Sequence, residues 1–333
     1  MTDPTTSHDP LSADASPTDD ARLREAMHRV RSEVGKAVVG QDGAVTGLLV
    51  ALLARGHVLL EGVPGVAKTL LVRSFSRALG LDTHRVQFTP DLMPGDVTGS
   101  LVYDARAGVF EFREGPVFTH VLLADEINRT PPKTQSALLE AMEERQVSAD
   151  GVTRALPDPF LVAATQNPIE HEGTYDLPEA QLDRFLLKLT IDVPARDAEI
   201  AVLRRHADGF DPRALSALSA VVDAEEIRAA QRAAASVAVT DDVLGYVVDL
   251  ARATRDAPSV QLGASPRAAT ALLAAAKAWA WLGGSPAITP DHVQTMLVPT
   301  WRHRLRLRPE AEFEGVSIDA VLDSVVQQTR VPV

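Results

Sequence analysis

The chain has 333 residues, 45% of them apolar, enough for a large core and for one or two domains, and 45 acidic against 33 basic residues give a formal net charge of −12. That acidity works against broad electrostatic adhesion to nucleic acid or anionic membrane, and the lack of cysteine excludes disulfides, thiolate zinc sites and thiol catalysis. No basic segment followed by an apolar stretch opens the chain, and no uncharged apolar run approaches the ~20 residues of a membrane span, so a cytoplasmic protein without membrane insertion is expected.

Residues 1–20 are rich in Asp, Thr, Ser and Pro and hold too little apolar surface to order themselves, which predicts a disordered acidic tail. A helix is expected from Asp19 or Asp20, with Leu23, Met27, Val30 and Val34 at helical spacing. A second carries Ala44, Leu48, Leu49 and Leu52. Strands and helices then alternate as in an open α/β sheet. His57–Glu61, His84–Phe88, Val121–Ala124, Phe160–Thr165 and Phe185–Ile191 read as five strands. Helices are expected over Leu70–Leu79 and Ser136–Glu144. Two stretches interrupt the alternation and read as inserted β-hairpins. One lies between Pro90 and Thr119 around Ala105–Gly108, and the other turns at Asp150-Gly151, a strong turn pair. After Pro194 alanine and arginine rise and helical signals dominate to about Val298, with start signals at Thr240, Ser265-Pro266 and Thr289-Pro290. The division expected is a tail over 1–20, an αβα core over 21–194 and a helical domain over 195–333.

Gly62-Val63-Pro64-Gly65-Val66-Ala67-Lys68-Thr69 sits between a predicted strand and a helix opening at Leu70, the context of a phosphate-binding loop. Its glycines let backbone N–H groups turn onto phosphate oxygens, and the helix N-terminus adds a positive dipole end. Lys68 is suited to reach the β and γ phosphates of ATP, and Thr69 to ligate Mg²⁺. Ala67 stands where the general pattern has glycine. Asp125 and Glu126 close an apolar strand at the carboxyl edge of the sheet, where open α/β sheets bind ligands. Behind a phosphate loop, Asp125 is placed to hold Mg²⁺ through water and Glu126 to polarise the attacking water. Asn167 ends the fourth strand, where a neutral amide can orient that water. Arg184 precedes the last strand, and a guanidinium stabilises charge on a transferring phosphoryl group. Arg267 opens a helix, where a cation opposes the dipole and a bound anion is one reason for its presence. The nine histidines show no metal-ligand spacing. The basic run Trp301–Arg308 reads as subunit packing or internal pairing with the acidic surplus in preference to nucleic-acid contact.

These phrases together resemble the MoxR family of AAA+ ATPases. The resemblance runs from about Val34 to Glu314. It includes Val39-Gly40-Gln41, the loop 62–69 with its Ala67, Gln87-Phe88-Thr89-Pro90-Asp91-Leu92, ADEINRTPPKTQSALLEAMEERQV at 124–147, ATQNP at 164–168, EAQLDRF at 179–185 and GASPRA at 263–268. It implies a P-loop core with a five-stranded parallel sheet and a C-terminal all-α lid. Lys68 and Thr69 become Walker A, Asp125 and Glu126 Walker B, Asn167 sensor 1, Arg184 the arginine finger and Arg267 sensor 2. Val39 and Gly40 are implied near adenine. The resemblance also implies a homo-oligomer, generally a hexameric ring, acting with a von Willebrand factor A-domain partner to remodel, mature or insert cofactors into a protein client. Three other readings stay open: the motor subunit of a metal chelatase, a nucleic-acid translocase, which the acidic balance disfavours, and a nucleotide-gated scaffold, which Glu126 disfavours.

Overall fold

The computed structural model describes residues 17–168, 173–211 and 215–332. The expected tail lies outside the described residues up to position 16. Its last four residues are helical instead, because Asp19 and Asp20 fall in a first turn where carboxylates meet the positive end of the helix dipole. The chain runs α1 (Pro17–Gly35), α2 (Asp42–Leu53), β1 (Val58–Glu61), α3 (Lys68–Leu79), β2 (Thr83–Gln87), α4 (Pro94–Thr98), β3 (Gly99–Asp104) and β4 (Val109–Glu114). It continues through β5 (Val121–Asp125), α5 (Pro132–Glu144), β6 (Gln146–Ala149), β7 (Val152–Ala155), β8 (Leu161–Gln166), α6 (Glu179–Leu182), β9 (Leu187–Thr190) and α7 (Arg196–Ala207). Then come α8 (Ala224–Ala235), α9 (Asp241–Asp256), β10 (Val260–Leu262), α10 (Pro266–Leu282), α11 (Pro290–Trp301), β11 (Arg306–Leu307), α12 (Pro309–Phe313) and α13 (Ile318–Gln328).

Five strands form one parallel sheet in the order β2-β5-β8-β1-β9. Alternate side chains of each strand face opposite sides, and in the inner strands β1, β5 and β8 both sides are apolar, as a sheet covered on two faces requires. Val58 and Leu60 of β1 join α1, α2, α3 and the C-terminal helices in one core, while Leu59 joins α5 through Leu138, Leu139 and Met142 in a second. The side-chain-free Gly47 lets α2 settle onto β9, since a Cβ there would lie 2.5 Å from Leu189.

Both predicted hairpins are present, as β3–β4 and β6–β7. Asp150 and Gly151 both take positive φ (54° and 70°), which matches a two-residue hairpin turn. The Arg154 guanidinium of β7 lies 3.9 Å over the Phe112 ring of β4 and ties the hairpins together. In the helical C-terminal region Thr240 and Ser265 cap α9 and α10 with side-chain hydrogen bonds, and Thr289 precedes α11. This region also carries a short antiparallel ribbon, β10 with β11, that the sequence pattern does not reveal. No described helix is long and apolar enough to cross a membrane.

Candidate functional site

The parallel sheet has two ends with different chemistry. At the carboxyl end, β1 runs into the loop Gly62–Ala67. Gly62 packs where a Cβ would meet the Ile191 carbonyl at 2.5 Å, so no larger residue fits without movement. Gly65 and Ala67 take φ of +87° and +63°. The left-handed Ala67 explains why glycine is common at that position, and it costs roughly 1–2 kcal/mol in a residue with a side chain. Lys68 opens α3 and its ammonium donates to the carbonyls of Gly62 and Val63, which holds it against the first turn of the loop.

Beside the loop, β5 delivers Asp125, 7% exposed. Its Oδ1 accepts from the Thr165 hydroxyl of β8 at 2.6 Å, and its Oδ2 from the Thr69 hydroxyl at 3.3 Å. Arg85 of β2 adds two bonds to Oδ2, from Nε at 3.1 Å and Nη2 at 2.8 Å. Glu126 leaves the strand in a left-handed conformation, φ 56°, and its N–H donates to Thr165 Oγ1 at 2.9 Å. One hydroxyl therefore fixes both acids. Glu126 Oε2 accepts from Gln87 Nε2 at 2.7 Å and Arg129 Nη1 at 3.0 Å. Asn167 follows β8 at the same end, 4% exposed, one residue past the Gln166–Glu61 register pair. The Thr69 hydroxyl and Asp125 carboxylate are hard oxygen donors in contact, a set that fits Mg²⁺. Arg85, Gln87, Arg129 and Thr165 are site residues that sequence reasoning missed. Their roles depend on strand register: β2 lies beside β5 with Gln87 opposite Asp125.

A cavity of about 480 Å³ adjoins the loop, lined by Val38, Val39, Val66, Leu70, Leu203 and Phe210 among others. It is apolar, with room for a planar base. Val39 lies in it, as does Leu70 from the first turn of α3. Gly40, with φ +75°, lines a neighbouring cleft of about 590 Å³ with Lys188, Thr190 and Arg302. Leu203 and Phe210, from α7 and the segment after it, were not foreseen.

Arg184 sits at the other end of the sheet. It precedes β9, whose Leu187 pairs with Val58 at the start of β1, while the loop follows Glu61 at the finish. The strand alone separates the two ends by about 10 Å. Arg184 Nε donates to Glu143 Oε2 at 2.6 Å, and Arg267 Nη1 donates to Glu143 Oε1 at 2.9 Å. Arg267 also reaches Asp183 at 3.4 Å, and Asp183 accepts from Arg304 Nε at 2.6 Å. These six predicted polar groups thus divide: Lys68, Asp125, Glu126 and Asn167 lie at the carboxyl end, whereas Arg184 and Arg267 meet on Glu143 at the opposite end. The arginines hold the Glu143 carboxyl below its ordinary range, Arg184 contributing most. Three of the four arginines of the basic run 301–308 are internally paired: Arg302 with Asp319, Arg304 with Asp183 and Arg306 with Glu179.

Residues 57–187 match the model of the ATPase family associated with various cellular activities (AAA), and residues 252–325 match the AAA lid domain. A protein named uncharacterized protein YeaC from Bacillus subtilis is 46% identical over 93% of this chain and 96% of its own length. Chaperone MoxR1 of Mycobacterium tuberculosis is 44% identical over 92% of this chain and 82% of its own length. A crystal structure of a candidate ATPase from Cytophaga hutchinsonii superposes with a TM-score of 0.87 at 38% identity, covering 95% of this chain and 98% of that one. With an AAA core, an AAA lid and end-to-end similarity to a MoxR chaperone, this chain belongs to the MoxR family of AAA+ ATPases and is an ATP hydrolase.

Proposed function

We propose that the chain binds Mg·ATP at the carboxyl end of its sheet and hydrolyses it only where a neighbouring copy supplies arginines, using the cycle to remodel a protein client. The carrying observation is the division of the site. Arg184 and Arg267 share Glu143 at the end of the sheet remote from Lys68, Asp125 and Glu126. In this reading Lys68 and the loop N–H groups hold the β and γ phosphates. Val39 and Leu70 flank the base. Glu126 takes the proton of the attacking water, and Asn167 orients that water. Thr69 and Asp125 hold Mg²⁺, which neutralises phosphate charge when bound. Arg184 and Arg267 stabilise the transition state of the adjacent subunit's nucleotide. The domain division follows the same logic, with a nucleotide-binding core over 21–194 and a lid over 195–333 that carries Arg267. The assembly is a ring, with six copies as the expected number, acting in the cytoplasm with a von Willebrand factor A-domain partner.

Mixing tests the reading. Arg184→Ala keeps Glu126, and Glu126→Gln keeps the arginines. Each alone is expected to bind ATP and lose turnover, while mixed assemblies regain part of it where an intact acid meets an intact arginine. Mixed assemblies that form but stay inactive at every ratio refute supply in trans. The metal-chelatase reading predicts the same nucleotide chemistry and differs only in the client. A nucleic-acid translocase is disfavoured by the net charge of −12 and by the internal pairing of the basic run. DNA-stimulated turnover would revive it.

A further inference from the structure

At the arginine end of the sheet the carboxylate that both arginines share has been given no task of its own. Glu143 lies in the last turn of α5, beside Glu144, with no basic residue in that turn. A carboxylate at a helix C-terminus faces the negative end of the dipole, an arrangement that opposes stability by ~0.3–1 kcal/mol. Arg267 is the second residue of α10, a cation at the positive end of its own dipole. Each misplacement is answered by the other through the 2.9 Å bond from Arg267 Nη1 to Glu143 Oε1. The second oxygen of Glu143 accepts from Arg184 Nε at 2.6 Å. A single carboxylate therefore clamps two arginines, one from the turn before β9 and one from the helical C-terminal region.

The chemistry of the clamp leaves the arginines usable. A guanidinium has five donors in a planar fork. Arg184 is engaged through Nε alone among the described residues, so both of its terminal nitrogens stay available for a bidentate bond to a phosphate, in a plane that Glu143 fixes. Asp183 performs the matching service on the far side, bonding Arg267 and Arg304. Three guanidiniums face two carboxylates, which leaves one surplus positive charge at the cluster. The Glu143 carboxyl is held ionised by its partners.

We infer that Glu143 is a positioning residue that presets Arg184 and Arg267 as one paired claw for the γ phosphate of a neighbouring copy's nucleotide. The inference rests on the trans reading above. Loss of the clamp frees two long side chains and loosens their aim. Misplacement of about 1 Å costs on the order of a hundredfold in rate, so Glu143→Gln is expected to lower kcat about ten- to hundredfold. KM for ATP should stay within about twofold, because the nucleotide loop is untouched.

The decisive readout is the complementation group. Glu143→Gln subunits mixed with Glu126→Gln subunits should regain turnover, since the latter supply an intact claw. Mixed with Arg184→Ala subunits they should not, since both lack it. The Arg184→Ala and Glu126→Gln mixture serves as the control: its failure indicts the trans reading, and not the clamp. With that control active, three results overturn the clamp. These are Glu143→Gln turnover within about twofold of wild type, rescue by Arg184→Ala subunits, or no rescue by Glu126→Gln subunits. Glu143→Asp keeps the charge and shortens the reach, and should retain more turnover than Glu143→Gln. It carries the same mixing test if the Gln variant does not assemble.

Discussion

Arg304 is the polar centre of the contact between the helical C-terminal region and the entry to β9, and its removal should be felt throughout the molecule. Its side chain is 4% exposed and satisfies five acceptors. One is the Asp183 carboxylate at 2.6 Å, and the others are the carbonyls of Asp183, Phe185, Leu186 and Thr300. Truncation to alanine strands these unequally. Phe185 O keeps a bond from His303 Nε2 at 2.8 Å, and Asp183, 24% exposed, keeps Arg267 and reaches water. Three carbonyls lose this donor in a buried setting, each costing about 1 kcal/mol or more, and the ion pair is broken from its buried side. The sum falls in the 3–5 kcal/mol range found for removing one partner of a buried pair, toward its lower end, at about 3 kcal/mol. Arg304→Lys should recover only part, because an ammonium has three donors for five acceptors. Guanidinium denaturation followed by tryptophan fluorescence reads the effect directly, since Trp301 and Trp281 are buried in the same core. A loss below about 1 kcal/mol for Arg304→Ala, with an unchanged denaturant slope, would refute the view that this network holds the two parts together.

Three further outcomes are expected. Lys68→Ala removes a charge-assisted contact of about 1.5–3 kcal/mol, so calorimetry should show ATP binding about ten- to hundredfold weaker; unchanged affinity would reject the loop as the phosphate cradle. Glu126→Gln should bind ATP while hydrolysing it about 10²–10⁴-fold more slowly, and turnover within twofold of wild type would remove Glu126 from its role. Burial lowers the His57 pKa to about 4 and that of His303 well below its ordinary value. The unfolded chain therefore takes up protons below about pH 6.5 while the folded chain does not, so stability is full above that pH and falls as pH drops toward 4. For His57 the loss approaches about 3 kcal/mol at pH 4. It should be absent in His57→Gln, compared by denaturation at pH 7 and 5; an equal pH dependence in both proteins would exclude His57 as the source.

The phosphate loop and the two acids were legible because their chemistry is contiguous: a strand, a glycine loop, a helix, and a second strand ending in Asp125-Glu126. Arg85 and Gln87 were not, although they lie in a strand that the sequence predicts. Their contacts exist only because β2 lies beside β5 in a register that places Gln87 opposite Asp125, and parallel register is set by distant packing. Glu143 read simply as the polar face of an amphipathic helix. Its meaning depends on Arg267, 124 positions away. The turn at Asp150-Gly151 was clear because both residues tolerate positive φ. The β10–β11 ribbon was invisible because strands of three and two residues carry no periodicity. α13 was not foreseen, although the structure buries Val321, Leu322 and Val325 on one side after a Ser317 cap.

Placing the acids at one end of the sheet and the arginines at the other gives the molecule a head and a tail. A two-fold dimer repeats every contact about one axis, so it completes both sites or neither, and it stops at two copies. Without that axis the contact between head and tail is heterologous, and it repeats with a fixed rotation. If that rotation divides a full turn, the assembly closes and every site is complete. If it does not, the assembly grows as an open helix, with a nucleotide site lacking its arginines at one end and unused arginines at the other.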